Sequence, residues 1–436
     1  MLKYKLIVVG WCMVASYGSY AQDTLTVEEA IAIAVDKNYD LKIARNNVRV
    51  AEVEASLLNR GYLPRITAGG NVNYANEDQD VAFSDGTATS IDGAETEMYN
   101  ASVTAEYTLF DGMERKFTNE RQSKNLHLNE WQERQQIENA IISLYETYYN
   151  IAFQQQVAQN LLVNIENSRD RLLRSQKRLK YGQGTTLDKL NAQVDLNNDS
   201  ISYATAVRDL NNLKRNLNLL LGRNVRETFL VDTTVAFLPL LSEDEIVSSV
   251  QGNNIQLVLA RQNILLSDLD IKINRARMMP KLTGSGSYQW NESQNPPTSF
   301  FLSSETQGFN LGLNVSWNIF DGGATRTRVE AAKITKNNRE IELFRTQEQV
   351  KTEVYNAYEI YTNAWYTLEA EANNVRTNNL NFTRTQRQYS LGQVTTVEFR
   401  QAQINQLNAL NNYARAKYDL KIAEVDLLQL GGKLLE

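Results

Sequence analysis

The sequence predicts a mainly helical protein with a membrane β-barrel portion, built from two similar halves. Three observations support this fold class. The phrase YGQGTTLD at 181–188 returns as LGQVTTVE at 391–398. Four stretches alternate between apolar and polar residues, which is the period of a β-strand. Two proline-free segments of about 70 residues carry apolar residues at heptad spacing, which indicates long helices that pack as coiled coils.

Residues 1–21 have the layout of a secretory signal peptide. Lys3 and Lys5 precede an apolar run, and Ser19 and Ala21, one residue apart, form a small-x-small cleavage site. Cys12, the only cysteine, lies inside this segment, so we expect a mature chain without disulfides. The formal net charge of −6 becomes more negative when the two lysines are removed, which argues against nucleic acid as a partner. Beyond the signal peptide, no apolar run is long enough for a transmembrane helix.

The mature chain divides into two structural repeats, residues 22–235 and 236–436. Each repeat opens with a pattern that fits a capping box, TVEE from position 26 and SEDE from position 242, which predicts short helices there. Two further motifs occur in both halves: LPRI in the first half corresponds to MPKL in the second, and LFDG corresponds to IFDG. We therefore expect both halves to contain the same order of elements: short helices, two strands and a helical hairpin.

The four predicted strands are long enough to cross a bilayer, which takes about 9–11 tilted residues. Because each has one apolar and one polar face, we predict lipid on the first side and water on the second. Half-buried strands of an ordinary soluble sheet are the alternative. The strands are placed at about 64–76 and 99–110 in the first half and at about 280–291 and 308–320 in the second.

Four strands are too few to close a barrel, because the smallest outer-membrane barrels have about eight. We therefore expect several copies of the chain to join. The segments 75–98 and 291–308 are interpreted as solvent-exposed extracellular loops. The first is acidic and contains no lysine or arginine. Such clustering is compatible with cation binding, although a solvated loop also accounts for it.

Helical hairpins are predicted at 111–222 and 321–432, with tips at 181–188 and 391–398. A helix of about 70 residues extends for ~105 Å, too long to bury itself in a globule. Its apolar seam must therefore meet neighbouring helices. The first hairpin's seam is expected to contain Leu161, Ile165, Leu172 and Leu179 on one helix, and Val194 and Ile201 among others on the returning helix.

The repeated phrases are interpreted as the tight tips of these hairpins. A glycine ends the first helix, because glycine accepts the left-handed conformation, and a threonine pair offers hydroxyls to cap the second. Asp188 and Glu398 lie in the first turn of the returning helices, where the helix dipole favours a carboxylate. The tip residues are Tyr181, Gly182, Gln183, Thr185 and Thr186 in the first hairpin, and Leu391, Gly392, Gln393, Thr395 and Thr396 in the second.

Taken together, the paired strand starts, the LFDG and IFDG strand ends and the Gly-x-x-Thr-Thr tips resemble the TolC family of outer-membrane efflux channels. The resemblance covers nearly the whole mature chain. It implies a homotrimer in the Gram-negative envelope, with a twelve-stranded barrel in outer-membrane lipid and a coiled-coil α-barrel in the periplasm. It also implies that the tips contact a periplasmic adaptor (membrane fusion) protein, and that an inner-membrane pump of the RND or ABC type lies beyond. The expected function is an exit duct for small toxic compounds.

The resemblance also implies gate residues. Tyr389 falls on the family's gate tyrosine, Glu398 on an acidic position that lines the constriction, and Asp188 on the aspartate that bonds to the tyrosine in the closed state. Val394 and Gln401 replace an arginine and a second aspartate, so we expect fewer polar links to hold the gate closed. From the residues alone, Asp188 and Glu398 are also explained as helix-start carboxylates, and both interpretations remain open.

An enzyme is not expected. His127 is the only histidine, so it cannot anchor a typical histidine-based triad or zinc site, and we predict no cofactor and no metal. Two alternatives to the efflux duct remain open. One is the exit duct of a type I protein secretion system, and the other is an exported structural or adhesive coiled-coil protein. The sequence does not identify the cargo, the adaptor or the pump.

Overall fold

The structure, a computed structural model, describes residues 24–84 and 86–435, so the predicted signal peptide lies outside the described residues. The chain divides into two compact units, and each unit draws on both predicted repeats. Unit 1 comprises Met1–Tyr39, Ala140–Pro239 and Ile360–Val425, and unit 2 comprises Asp40–Asn139, Leu240–Glu359 and Asp426–Glu436.

Most of the described chain is helical. The helices α3 and α7 contain 67 residues each, and α4 and α8 contain 35 each. In chain order the elements are β1 (Thr24–Leu25), α1 (Val27–Lys37), α2 (Tyr39–Glu54), a 3-10 helix (Leu57–Asn59), β2 (Arg65–Ala82), β3 (Ala88–Phe110), α3 (Glu114–Lys180), α4 (Thr186–Leu220), β4 (Leu230–Val231), α5 (Glu243–Asn253), α6 (Ile255–Ala276), β5 (Lys281–Gln294), β6 (Ser303–Ser316), α7 (Ala324–Ser390) and α8 (Thr396–Leu430).

Unit 2 contains a four-stranded sheet with the order β2-β3-β5-β6. All three pairs of neighbouring strands are antiparallel. The register places Ile66 opposite Ala105 and Val103 opposite Tyr288, so apolar residues face apolar residues across the strands. The strands β2 and β6 form the two edges of the sheet within this chain.

The loop predicted at 75–98 is wrong. The strands β2 and β3 continue through this segment, and only residues 83–87 connect them. Polar side chains bridge the extended part, since the Tyr74 hydroxyl donates to Glu95 Oε1 at 2.8 Å. The second predicted loop, 291–308, also shortens, to residues 295–302. Backbone pairing alone sustains a strand whose two faces are both polar, and such a strand has no hydrophobic alternation to reveal it.

The last predicted strand ends earlier than expected, at Ser316 rather than near 320. Ser316 pairs with Lys281, the first residue of β5, and Pro280 precedes it. Proline has no backbone N–H to continue the ladder, so pairing stops there. Trp317 instead donates its indole N–H to the carbonyl oxygen of Met278 at 3.0 Å.

Unit 1 has a core in which α1 packs against α3, α4 and α8. Tyr148, Tyr149 and Tyr418 lie at its centre, with ring centroids 5.5 Å apart for the first pair and 5.7 Å apart for the second and third. The Tyr148 hydroxyl donates to the Leu25 carbonyl oxygen at 2.7 Å and accepts from the Asp232 N–H at 3.0 Å. Burial raises the pKa of Tyr418 to about 12. These contacts fix the end of the short parallel β1–β4 pair, where both strands finish, to α3.

The two predicted capping boxes have different outcomes. At the start of α1, Thr26 and Glu29 exchange both hydrogen bonds, as predicted. At the start of α5, Ser242 makes no side-chain cap bond, so the second prediction is wrong. The carboxylate of Glu245 instead pairs with Lys433 Nζ at 2.6 Å. The Glu245 carboxylate thus binds Lys433, which is distant in sequence, instead of the Ser242 backbone N–H.

The predicted seam of the first hairpin is correct on α3, where Leu161, Ile165 and Leu172 are buried. On α4 it is correct at the end of the helix, where Leu217 of the predicted seam is buried, but wrong nearer the tip, where Val194 and Ile201 are 55% and 65% exposed. In this part of α4 the face that packs inward consists instead of small or polar residues at heptad spacing. These residues are Ala192, Asp199 and Ala206.

The turn before α3 contains a strained residue. Met113 has a φ of 72° and is the one non-glycine residue with positive φ in the described part of the chain. The corresponding turn before α7 has Gly323 at this place, with a φ of 87°. A left-handed conformation costs an L-residue roughly 1–2 kcal/mol, a cost that glycine avoids.

Met113→Gly is therefore expected to stabilise the protein by about 1 kcal/mol, because the exposed Met113 side chain loses little packing. Gly323→Met is the matched reverse change and is expected to destabilise it by a similar amount. Thermal unfolding of the purified protein in detergent measures both. A lower midpoint for Met113→Gly than for the wild type would contradict the prediction.

Candidate functional site: an exposed apolar sheet face and two helical tips

The four-stranded sheet exposes its apolar side. Along β6, alternate residues are large and apolar, and Leu313 among them is 74% exposed. The polar side is also largely open, since Ser285, Gln289 and Asn314 are exposed. A sheet in water normally covers its apolar side, because apolar burial drives folding. The exposed apolar residues of β6 are Phe309, Leu311, Leu313 and Val315.

Both sheet edges are open in the single chain. Neither β2, of 18 residues, nor β6, of 14 residues, has a second neighbour among the described residues. Unpaired strand edges attract further strands, and in a lipid environment each unpaired backbone group costs several kcal/mol. No helix in the described part of the chain is long and apolar enough to cross a membrane.

The first helical tip has the predicted local geometry. Gly182 has a φ of 70°, and its N–H donates to the Leu179 carbonyl oxygen at 3.1 Å, while the Gln183 N–H donates to that of Arg178 at 2.8 Å. This is a Schellman motif. The side chain of Thr185 caps α4 by accepting from the Asp188 N–H at 3.1 Å.

The second tip repeats this arrangement. Gly392 has a φ of 75°, and Thr395 Oγ1 accepts from the Glu398 N–H at 3.2 Å. The Glu398 carboxylate accepts from the Thr395 N–H at 2.7 Å and from its hydroxyl at 2.8 Å. These bonds, the backbone one first, lower the pKa of Glu398 below its ordinary value. Both predicted acidic residues are therefore capping carboxylates, and Glu398 is exposed to solvent whereas Asp188 is partly buried.

The second tip also contains an aromatic cluster that the first lacks. The ring of Tyr389, 6% exposed, stacks on Phe399 with centroids 4.7 Å apart and planes at 9°. Phe382 also stacks on Phe399, with ring centroids 5.8 Å apart. Val394 packs against this cluster, which explains an apolar residue at that tip position. Stacked aromatic pairs contribute about 0.5–1.5 kcal/mol beyond their buried area.

Among the described residues, no hydrogen bond joins Asp188 to Tyr389. The Asp188 carboxylate accepts from the N–H and the hydroxyl of Thr185, at 3.2 and 2.7 Å. The closed-state link implied by the resemblance is therefore not formed in this single chain. The gate and pore-lining roles of Asp188, Tyr389 and Glu398 stay predictions.

A buried charge cluster links the two helical hairpins within unit 1, and the sequence analysis missed it. Arg400 of α8 donates from Nη1 and Nη2 to the two carboxylate oxygens of Asp199 on α4, both at 2.8 Å. Arg171 of α3, only 1% exposed, donates to Asp195 Oδ2 at 2.5 Å. Ser168 adds a hydroxyl donor to Asp199 at 2.5 Å. Two arginines thus balance two aspartates in a site largely screened from water.

Neutral side chains extend this cluster. Gln403 of α8 donates to Asn164 Oδ1 at 2.8 Å and to the Ser168 hydroxyl at 3.0 Å. Burial lowers the pKa of Arg171, and the charge of Arg400 adds to this, whereas Asp195 opposes it. The cluster therefore depends on its aspartates, because an unpaired buried arginine would be costly.

Comparison with known proteins identifies the family. A family model of the outer membrane efflux protein matches residues 30–223 and 246–433, which is most of the chain. The chain belongs to the outer membrane efflux protein family.

Curated relatives of this efflux family are distant. The outer membrane efflux protein BepC of Brucella suis is 24% identical over 189 residues, which is 42% of this chain and 38% of BepC. The outer membrane protein TolC of Vibrio cholerae is 23% identical over 268 residues, which is 61% of each chain. The matches thus span less than two thirds of these relatives.

Solved efflux-family structures match almost the whole chain. The CmeC outer membrane channel of Campylobacter jejuni has a TM-score of 0.78 at 15% identity, covering 94% of this chain and 86% of CmeC. The MtrE outer membrane channel of Neisseria gonorrhoeae, in its open state, has a TM-score of 0.72 at 16% identity, covering 94% and 89%. At these identities the likeness shows the fold.

One signal in the sequence pointed to the missed charge cluster. On α3 of this efflux-family chain, the seam continues at spacings of three and four. Its residues are Leu161, Ile165, Ser168, Leu172 and Ser175. Both serines are buried. Small polar residues in an otherwise apolar seam leave room for polar groups from neighbouring helices. Which charged partners fill that room depends on helix packing, which the sequence does not give.

Proposed function

We propose that this chain is the outer-membrane exit duct of a tripartite efflux system for small toxic compounds. Three copies would form a twelve-stranded barrel in the outer membrane, and their helices would form a tunnel through the periplasm. The exposed apolar face of the four-stranded sheet carries this proposal. The family match and the fold of CmeC and MtrE support it.

The open edges of β2 and β6 support assembly from several copies. A membrane sheet must close on itself, because lipid offers no hydrogen bonds to an unpaired edge. One chain supplies four strands, and about eight is the smallest closed number. Three copies supply the twelve strands that the family resemblance implies.

An apolar stripe on α4 supports contacts between copies in the helical region. Leu187, Leu190, Val194 and Ile201 follow heptad spacing and are all exposed in the single chain. Exposed heptad stripes pack against neighbouring helices, which bury them in knobs-into-holes contacts. A helix of an adjacent copy is the partner that a closed ring places beside α4.

The tips are proposed to contact a periplasmic adaptor protein, which leads to an inner-membrane pump of the RND or ABC type. Tyr181 and Leu391 occupy equivalent positions in the two tips, and both are exposed. Large apolar side chains at the ends of two rigid hairpins suit a docking contact. The capped, hydrogen-bonded turns hold these side chains in defined positions.

Reconstitution in planar bilayers tests the duct. The purified protein is expected to behave as a trimer in detergent and to give long-lived conductance steps, whereas a non-conducting monomer would overturn the proposal. In cells, loss of the protein is expected to increase susceptibility to small toxic compounds. Loss of a secreted protein without such a change would instead assign the duct to type I secretion, and an adhesive coiled coil would give neither result.

We predict that Asp188 and Glu398 form carboxylate rings that favour cations at the periplasmic entrance. Asp188→Asn combined with Glu398→Gln is expected to move the reversal potential in a salt gradient towards zero. Because Thr395 lowers the pKa of Glu398, this ring stays charged as the pH falls through the ordinary glutamate range. Selectivity due to Glu398 is lost only when the pH falls through the lowered pKa.

The control for this measurement is the pair Asp170→Asn and Glu369→Gln, which removes exposed carboxylates from the helix shafts. These changes are expected to leave the reversal potential nearly unchanged. An equal shift in the control and in the tip variant, or no shift in the tip variant, would contradict the carboxylate rings.

A further inference from the structure

The segment between β5 and β6, residues 295–302, is a closed and internally bonded loop. The Asn295 N–H donates to the Leu302 carbonyl oxygen at 2.8 Å, and the Asn295 side chain donates to that of Phe301 at 3.1 Å. The Ser299 N–H donates to the Pro296 carbonyl oxygen at 2.9 Å. These bonds give the loop a defined shape at the end of the sheet opposite to the helix connections.

The loop lies across the polar face of the sheet. The Thr298 hydroxyl donates to Gln79 Oε1 on β2 at 2.8 Å, although β3 separates β2 from β5. The register shifts between Glu77, which pairs with Ala94, and Gln79, which pairs with Ile91, so the extra residue of this irregularity lies in β3. On β2 the two residues are two positions apart, which places Gln79 on the polar face with Glu77. The Thr298 side chain that makes this contact is only 5% exposed.

Two large aromatic side chains follow this anchor point and are exposed in the single chain. Phe300 is 91% exposed and Phe301 is 62% exposed. Their rings contact each other edge to face, with centroids 4.8 Å apart. Lipid does not account for them, because the loop is anchored on the polar side and the lipid-facing row of β6 is on the other side.

We propose that Phe300 and Phe301 form a hydrophobic constriction at the outer mouth of the bore and limit which solutes pass. This inference rests on the proposed function, since the polar face lines a bore only in a closed barrel. Three copies would bring six phenyl rings around one opening. A ring of apolar side chains resists passage of hydrated ions and large polar solutes, because water withdraws from a narrow apolar opening.

The proposal is tested by single-channel recording of the double variant Phe300→Ser and Phe301→Ser. Conductance is expected to rise roughly twofold or more, because the hydroxyls are small and hold water. The variant Phe300→Tyr with Phe301→Tyr keeps both rings and is expected to conduct like the wild type. Cells with the serine variant are also expected to admit more of a bulky polar antibiotic.

Phe83→Ser is the matched control. Phe83 is an exposed phenylalanine in the β2–β3 turn, at the same end of the sheet. It is expected to leave conductance unchanged. If wild-type channels conduct but the serine double variant conducts no more than Phe83→Ser, the constriction is overturned and the proposed function stands. The absence of conductance from every form, including the wild type, would instead overturn the proposed function and the constriction with it.

Discussion

Arg400→Met is expected to destabilise the protein by about 3–5 kcal/mol, the cost of leaving a buried charge without its partner. Asp199, which is buried, loses the two bonds at 2.8 Å that Arg400 donates. No other cation is bonded to it among the described residues. Urea unfolding of the detergent-solubilised protein, followed by circular dichroism, measures the effect.

A double-mutant cycle separates the lost ion pair from lost packing. Arg400→Met combined with Asp199→Leu is expected to recover much of the stability, because apolar residues of similar volume often replace a buried ion pair without loss. Arg174→Met, one turn from Arg171 on α3, changes an exposed arginine and is expected to cost less than about 0.5 kcal/mol. If Arg400→Met costs no more than this control, the buried pair does not stabilise the hairpins.

The same change is expected to affect the channel. The cluster joins the start of α8 to α3 and α4, so it connects the second hairpin to the first. Weakening it lets the second hairpin move more freely relative to the first. We expect Arg400→Met channels to open more often than the wild type in bilayer recordings, whereas Arg174→Met channels keep the wild-type open probability.

Leu313→Arg is expected to prevent stable assembly in the outer membrane. Leu313 lies in the middle of the apolar row of β6, where an arginine facing lipid costs about 2–4 kcal/mol in each copy. In an assembly of three copies the cost applies three times. Membrane fractionation, with the amount of heat-resistant oligomer measured on gels, reports the loss.

Asn314→Arg is the matched control because it changes the next residue on the same strand. Asn314 belongs to the polar face, where the register pairs it with Thr283. An arginine there faces water, so normal amounts of oligomer are expected. Equal loss of oligomer in both variants would show that the two faces of the sheet are not divided between lipid and water.

The sequence revealed elements whose chemistry is local. Alternation from Ile66 to Tyr74 predicts a strand, and Gly182 and Gly392 end helices wherever their neighbours pack. It did not reveal the outer part of the β2–β3 hairpin. Beyond Ala75 most residues on both faces are polar, so no hydrophobic period marks the strand, and its pairing with β3 cannot be read from the sequence.

The candidate site was predictable to a similar extent. The capping role of Asp188 and Glu398 follows from three-residue spacing and is present in the structure. The inward face of α4 was misassigned because Val194 and Ile201 are more apolar than Ala192 and Asp199. Hydrophobicity indicates which residues favour burial but not which helix buries them, and Val194 and Ile201 face away from the other helices of this chain.

The even number of strands determines how copies join. With the order β2-β3-β5-β6 and every neighbouring pair antiparallel, the first and last strands run in opposite directions. A junction between β6 of one subunit and β2 of the next therefore continues the up-and-down meander without a parallel pair. With an odd number of strands, the two edge strands would run in the same direction and a junction between copies would be a parallel pair. In this chain the edge strands run in opposite directions, so any number of copies can pair edge to edge in the antiparallel sense.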